Sequence, residues 1–306
     1  LPFRMLTRKY GAQLCYSPMI NAGFFARDYS YRGLILSTTA KDRPLVVQIA
    51  GHDPQTMLRA GRMVENHCDA VDINLGCPQG IARRGRYGAF LQDEWDLIAE
   101  MVSTLHQGLK VPVWCKIRVF PEISKTIEYA KMIEKAGCSV LAVHGRTREQ
   151  KGRDSPPASL EHIRAVREAL SIPVLANGNV NTLQDAVEVL DATGCAGILA
   201  AIALLDDPSL FANPTGRADR FHLCREYLWY AEQYPVPIRI VRAHIFRMLR
   251  HILEANSDFY HKVAKTKNLH DMTNVLNMLE ERCRADGNDY TLGYYARKRM
   301  LVAAQQ

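Results

Sequence analysis

The sequence predicts an α/β fold: a (β/α)8 TIM barrel with one strand unaccounted for, followed by a C-terminal helical domain. Three observations lead there. Short apolar, β-rich runs recur seven times over about the first 200 residues, most of them separated by 20–35 residues of helical pattern. Polar or small residues stand at or just past the ends of six of these runs. After Pro208 the strand-like runs stop and only helical periodicity continues.

The runs are Gln13–Met19, Leu45–Ala50, Ala70–Leu75, Val111–Val119, Cys138–Val143, Ile172–Ala176 and Gly197–Leu204. Most are apolar on both faces, as in a parallel sheet covered by helices. Between them, Gln55–His67 predicts a helix with Met57, Leu58, Met63 and Val64 on its apolar face, and Thr126–Ala136 and Leu183–Leu190 predict two more. A doubly wound sheet has the same alternation, but no G-x-G-x-x-G opens a helix after a strand. The strand ends carry Pro18-Met19, Gln48, Asn74-Leu75-Gly76-Cys77-Pro78, Lys116-Ile117-Arg118, His144-Gly145-Arg146 and Asn177-Gly178-Asn179. A barrel collects its chemistry at that end of its strands. Residues 1–212 are therefore read as the barrel, and Asn213–Gly216 as a linker. Residues 217–306 are read as a bundle of helices Arg220–Gln233, Ile238–Ala255, Phe259–Thr266 and Met272–Arg284, with Pro235 and Pro237 breaking between the first two.

Composition narrows the function classes. With 306 residues, 47% hydrophobic and 23% charged, the chain reads as an ordinary globular enzyme and not a disordered segment. The longest uncharged stretch near the apolar maximum, Ala192 to Leu205, has 14 residues, too few to span a bilayer, so no membrane partner is expected. No targeting peptide is visible, and a first residue that is Leu suggests a piece of a longer chain. The eight cysteines are dispersed with no C-x-x-C pair, which predicts a reducing, intracellular compartment (the cytoplasm, with the nucleus a second location) and no structural metal. Of the net charge of +7, residues 217–306 hold 15 Lys+Arg against 10 Asp+Glu, whereas residues 1–216 hold 24 against 22. A basic C-terminal third suits a polyanion partner, and equally a generally basic surface.

Cys77 stands just past a buried strand, poised over a barrel mouth, and a loop with Arg83, Arg84 and Arg86 follows it. Such a loop could close on a phosphate backbone, or be a solvated basic loop beside a packed cysteine. Lys116 and Arg118, at i and i+2 of one strand, share a face. Two cations in a lumen are costly without an anionic ligand, unless they reach solvent at the rim. His144 ends the next strand, where a lone histidine is as readily a satisfied polar group. Asn177-Gly178-Asn179 offers backbone N–H groups at a strand-to-helix turn, a phosphate-binding geometry and also an ordinary turn.

Together these residues resemble the tRNA-dihydrouridine synthase family, flavin enzymes that reduce uracil in transfer RNA. The resemblance runs from Leu1-Pro2-Phe3-Arg4 and Tyr10-Gly11-Ala12 through the strand-end signatures into the tail. Its most specific pieces are Asn74-Leu75-Gly76-Cys77-Pro78, Tyr87-Gly88-Ala89-Phe90-Leu91, Cys115 to Glu122 and Val143 to Gly152. With Arg239 to His244, they are similar to a eukaryotic branch acting on D-loop uridines at the sixteenth and seventeenth positions. The resemblance implies FMN across the barrel mouth, NADPH as reductant, tRNA as partner and a monomer. It implies Cys77 as the general acid that protonates C5 of a flipped uracil and Asn74 as holder of the uracil edge. Gln48, Lys116 and His144 would contact the flavin ring, and Arg118 the flavin or the substrate. Asn177, Gly178 and the backbone of Ala200 and Ala201 would take the FMN phosphate. Arg83, Arg84, Arg86 and Arg146 are carried as RNA-binding candidates, and the basic tail would grip tRNA.

Two departures accompany it. The family's first barrel strand precedes the segment matching Leu1-Pro2-Phe3-Arg4, so a barrel lacking that strand is expected. Asp206 and Asp207 stand close behind Ala200 and Ala201, where free carboxylates would repel a phosphate. A non-catalytic RNA-binding relative with an eroded flavin site is the alternative. A third reading is an FMN barrel acting on a small molecule, which would not need the basic tail.

Overall fold

A computed structural model describes residues 1–152, 155–287 and 290–294. Its sheet strands are β1 (Cys15–Tyr16), β2 (Ile20–Asn21), β3 (Leu45–Ala50), β4 (Ala70–Leu75), β5 (Val113–Arg118), β6 (Val140–His144), β7 (Val174–Asn177) and β8 (Gly197–Leu199). All pair in parallel, and from β3 onward each strand pairs with the next along the chain. Helices between successive strands pack on one another, as Pro54–Val64 does on Trp95–Gly108 and Ile123–Lys135 on Leu160–Ala169. This is the curled, helix-covered parallel sheet of a TIM-type barrel. Among the described residues no pairing joins β8 back to β1.

β1 and β2 both pair with β3, through Cys15↔Leu45 and Ile20↔Ile49, so they are one strand position interrupted midway. The run expected at Gln13–Met19 breaks there because Pro18 has no N–H to give a ladder. The last run also stops early. Its strand ends at Leu199, and Ile202–Asp206 is a short helix.

The chain forms two compact units. One holds Leu14–Asn179 and Val187–Leu199, and the other Leu1–Gln13, Val180–Ala186 and Ala200–Gln306. Sequence pattern alone places the boundary at residues 212–217. In the first unit, Val47 and Ile49 of β3, Val71 and Ile73 of β4, Val113 and Ile117 of β5, and Leu141 and Val143 of β6 are fully buried. Each such side chain contributes about 1.5–3 kcal/mol.

The second unit has its own core. Helix Pro2–Lys9 packs on Arg220–Gln233, and Leu6 joins Tyr227, Val241, Ile245, Met272 and Leu276 in one apolar cluster. Lys9 and the Tyr10 hydroxyl both bond Glu226. The expected helix Ile238–Ala255 is broken at Leu249 into Ile238–Met248 and Arg250–Ala255. No Gly or Pro marks that break. His244 stacks on Phe3 with ring centroids 4.3 Å apart, and burial pushes its pKa down to about 4, so it packs as a neutral ring. Asp206 and Asp207 are buried here. Asp207 accepts from Ser209, Asn213 and the buried Arg220, so its charge is compensated inside the unit rather than standing free.

Candidate active site

Strand alternation and register assemble the site on the barrel unit. Gln48 lies opposite Asp72, Asn74 opposite Lys116, Arg118 opposite His144, and His144 opposite Asn177. Side chains two apart on a strand share a face, so Asp72 and Asn74 join Lys116 and Arg118 on the inner side. Gln48 Nε2 donates to Asp72 Oδ2 at 2.8 Å, and Asn74 Nδ2 donates to Gln48 Oε1 at 2.8 Å. Asn74 Oδ1 then accepts the backbone N–H groups of Gly76 (3.1 Å) and Cys77 (2.9 Å).

That last contact seats the thiol. Cys77 begins the loop after β4, and its carbonyl accepts from Ala89 N at 3.1 Å. Gly88, at φ +67°, presses on it so closely that a Cβ there would lie 2.7 Å from the Cys77 oxygen and 2.9 Å from its Cβ. Only glycine satisfies both demands. Of the eight cysteines Cys77 alone is half-exposed, and the other seven are buried.

Lys116 is half-buried, and its side chain makes no hydrogen bond or ion pair among the described residues. Burial, with Arg118 adding repulsion, pushes its pKa down to about 8 against the pull of Asp72 and Cys77. His144 is driven down to about 2, first by burial and then by Lys116, Arg118 and Arg146, so it is neutral. Arg146 Nη1 lies 3.2 Å from His144 Nε2, and a guanidinium can only donate. His144 Nε2 therefore accepts, and the ring proton sits on Nδ1.

Arg118 is bonded within the protein. Its guanidinium donates to the carbonyls of Gly76, Thr147 and Gln150 at 2.8–2.9 Å, tying the Cys77 loop to the loop after β6. Arg146 bonds the Pro156 carbonyl and Asn179. Arg83, Arg84 and Arg86 are exposed, and Arg86 pairs with Glu94 at 2.7 Å. Asn177 Nδ2 donates to Leu199 O, and Gly178, at φ +114°, leaves no room for a Cβ beside Ala158. Ala200 and Ala201 belong to the other compact unit, where Ala201 precedes the helix Ile202–Asp206.

Sequence reasoning missed Asp72. It is 0% exposed, and burial raises its pKa to about 7, against the Gln48 hydrogen bond and Lys116. The signal was present, since Asp72 stands two before Asn74 as Lys116 stands two before Arg118. Elsewhere on this unit, a cavity of about 400 Å³ between helices Ala22–Arg27 and Pro54–Val64 contains none of the candidate residues.

The dihydrouridine synthase family profile matches residues 1–289. The chain belongs to the dihydrouridine synthase family. This dihydrouridine synthase family member is 48% identical, over 94% of its length, to the rat (Rattus norvegicus) protein named tRNA-dihydrouridine(16/17) synthase NAD(P)(+)-like. It is 48% identical to the mouse (Mus musculus) protein of the same name. It spans 65% of the rat relative and 60% of the mouse one. The fission yeast (Schizosaccharomyces pombe) tRNA-dihydrouridine(16/17) synthase NAD(P)(+) is 41% identical over 87% of this family member and is 70% covered by it.

Proposed function

We propose that the protein reduces uridine to 5,6-dihydrouridine in the D-loop of tRNA, at positions 16 and 17, using FMN and NADPH. The observation that carries this reading is the pairing of the half-exposed Cys77 thiol with the unpartnered Lys116 ammonium at the end of neighbouring strands. The names of the rat, mouse and fission yeast relatives support the position.

The residues present suit a flavin. Gln48 and Asn74 each keep one amide N–H beyond their mutual bonds, Lys116 offers three, and neutral His144 offers Nδ1–H. That set is donor-rich, as the carbonyls and ring nitrogens of an isoalloxazine or a uracil require. When bound, FMN reduced by NADPH supplies the hydride for C6 of the uracil.

Cys77 supplies the proton for C5, and the thiolate left behind takes a proton back from solvent. Lys116, no longer desolvated alone, is the cation that offsets electron density on an acceptor-rich ring. Gln48 and His144 orient that ring by hydrogen bonding, and Arg118 keeps the thiol loop in place. Gly178 leaves the backbone after β7 open to a phosphate, with Asn177 beside it. The exposed arginines 83, 84 and 86 and the basic helical unit hold RNA through its phosphates. A non-catalytic RNA-binding role is disfavoured, because Asn74, Cys77, Lys116, Arg118 and His144 are all present.

The test is to incubate the purified protein with FMN, record the visible spectrum, then add NADPH and unmodified tRNA and measure dihydrouridine by mass spectrometry. A bound-flavin spectrum and product at positions 16 and 17 are expected. Bound flavin without product would refute the activity.

A further inference from the structure

We propose that Asp72 is a positioning residue for the Cys77 turn, acting through the Gln48 and Asn74 carboxamides. This rests on Cys77 being the working thiol.

The argument is one of hydrogen-bond direction. A carboxamide turned by 180° keeps its shape and exchanges its donor for its acceptor. Two adjacent carboxamides can therefore satisfy each other in either sense, and nothing in their own chemistry selects one. An ionised carboxylate can only accept, and with its pKa raised to about 7 Asp72 is mainly ionised at pH 8, the pH of the alkylation test. Asp72 Oδ2, at 2.8 Å from Gln48 Nε2, fixes the amide end of Gln48 toward β4. Gln48 Oε1 must then accept from Asn74 Nδ2, which leaves Asn74 Oδ1 facing the N–H groups of Gly76 and Cys77. Reversed, Asn74 would set an NH2 group against two N–H donors, and the thiol-bearing turn would lose both bonds.

The placement is costly, which argues for a use. Asp72 is wholly buried, and its Oδ1 has no hydrogen-bond partner among the described residues. The ionisable groups that interact with it are Lys116 from β5, Tyr16 from β1 and Cys115 from β5. None of them replaces Gln48 as a bonded partner. A buried carboxyl held by a single hydrogen bond costs several kcal/mol relative to an apolar side chain of that size. Here that one bond begins a chain of three ending at the backbone of Cys77.

The experiment reads Cys77 directly, without flavin or RNA. Seven cysteines are buried, so alkylation of the native protein by iodoacetamide reports Cys77. Asp72→Leu should speed alkylation about fivefold, the factor equivalent to one hydrogen bond of about 1 kcal/mol. Gln48→Leu should do the same, and the double variant should be no faster than either single one, because both break the same chain. Asp72→Asn keeps the shape but, as a third carboxamide, no longer selects a sense, and should speed alkylation toward the Asp72→Leu rate. An unchanged rate in Asp72→Leu, effects that multiply in the double variant, or Asp72→Asn keeping the wild-type rate would overturn the proposal. Should Asp72→Leu not unfold cooperatively, Gln48→Leu decides, and an unchanged rate there is equally fatal. Failure of the wild type to bind flavin would sink the proposed function while leaving the alkylation rates to judge the relay.

Discussion

Replacing Lys116 by Met should make the protein more stable and less able to bind its ligand. Burial lowers the Lys116 pKa from 10.5 to about 8. At about 1.36 kcal/mol per pKa unit, the charged form costs folding at most about 3.4 kcal/mol. Because the residue is half-buried and partly solvated, about 1–2 kcal/mol is the working figure. The sign follows from linkage. The folded-state pKa lies below the unfolded one, so the unfolded chain holds this proton more tightly. The penalty is full below pH 8 and fades as pH rises from 8 toward 10.5. Methionine fills the same space without charge. Lys116→Met should therefore raise Tm at pH 7 by about 2–6 °C, with the gain shrinking at pH 9.5. The assay is thermal unfolding at both pH values, with and without FMN. Wild type should gain Tm on adding FMN, and Lys116→Met should gain little. A lower Tm for the variant without ligand would mean that the ammonium is already satisfied, and the reasoning would fail.

Cys77→Ala should still bind FMN and oxidise NADPH while dihydrouridine formation falls about 10²–10⁴-fold, and normal yield by mass spectrometry would remove the thiol from proton transfer. Gly88→Ala forces a left-handed φ of +67° on a Cβ that meets Cys77, so Tm should drop by the equivalent of about 1–3 kcal/mol. An unchanged melting curve would show that the loop yields freely. On the helical unit, Arg239, Arg247, Lys265 and Lys267 are exposed. Changing all four to Gln should weaken tRNA binding and flatten its dependence on salt, by about 0.7–0.9 in log–log slope for each phosphate no longer neutralised. A slope equal to wild type would take these side chains off the RNA surface.

Much of the fold was legible because parallel strands buried on both faces leave continuous apolar runs, and the run from Ala70 to Leu75 became β4 with the same limits. The strand-end motifs were legible because polar residues at such points have no role in packing. What escaped depended on neighbours distant in sequence. Arg118 reads as a free cation, yet three carbonyls from two loops use its donors. Asp206 and Asp207 read as a threat to a phosphate because Arg220, buried beside Asp207, is 13 residues away from it. Helix Pro2–Lys9 belongs with helices more than 200 residues later, a pairing no local pattern can express. The interruption at Pro18 was readable in principle, since proline cannot sit in an inner ladder.

The two-residue period of the central strands has an arithmetic consequence. From β3 to β6 the residues on the inner side carry even numbers: Gln48, Asp72, Asn74, Lys116, Arg118 and His144. Most of the fully buried apolar residues carry odd ones, Val47, Ile49, Val71, Ile73, Val113, Ile117, Leu141 and Val143 among them, with Val46 and Ala50 of β3 the even-numbered exceptions. Parity thus separates two kinds of failure across this stretch of the chain. Substitutions in the odd-numbered apolar set should show up as lost protein, and those among the six even-numbered polar residues as intact protein that works badly or binds differently. Evolution could revise one set without reopening the other, and a deletion of a single residue inside one of these strands would exchange the two faces for the residues of that strand beyond it.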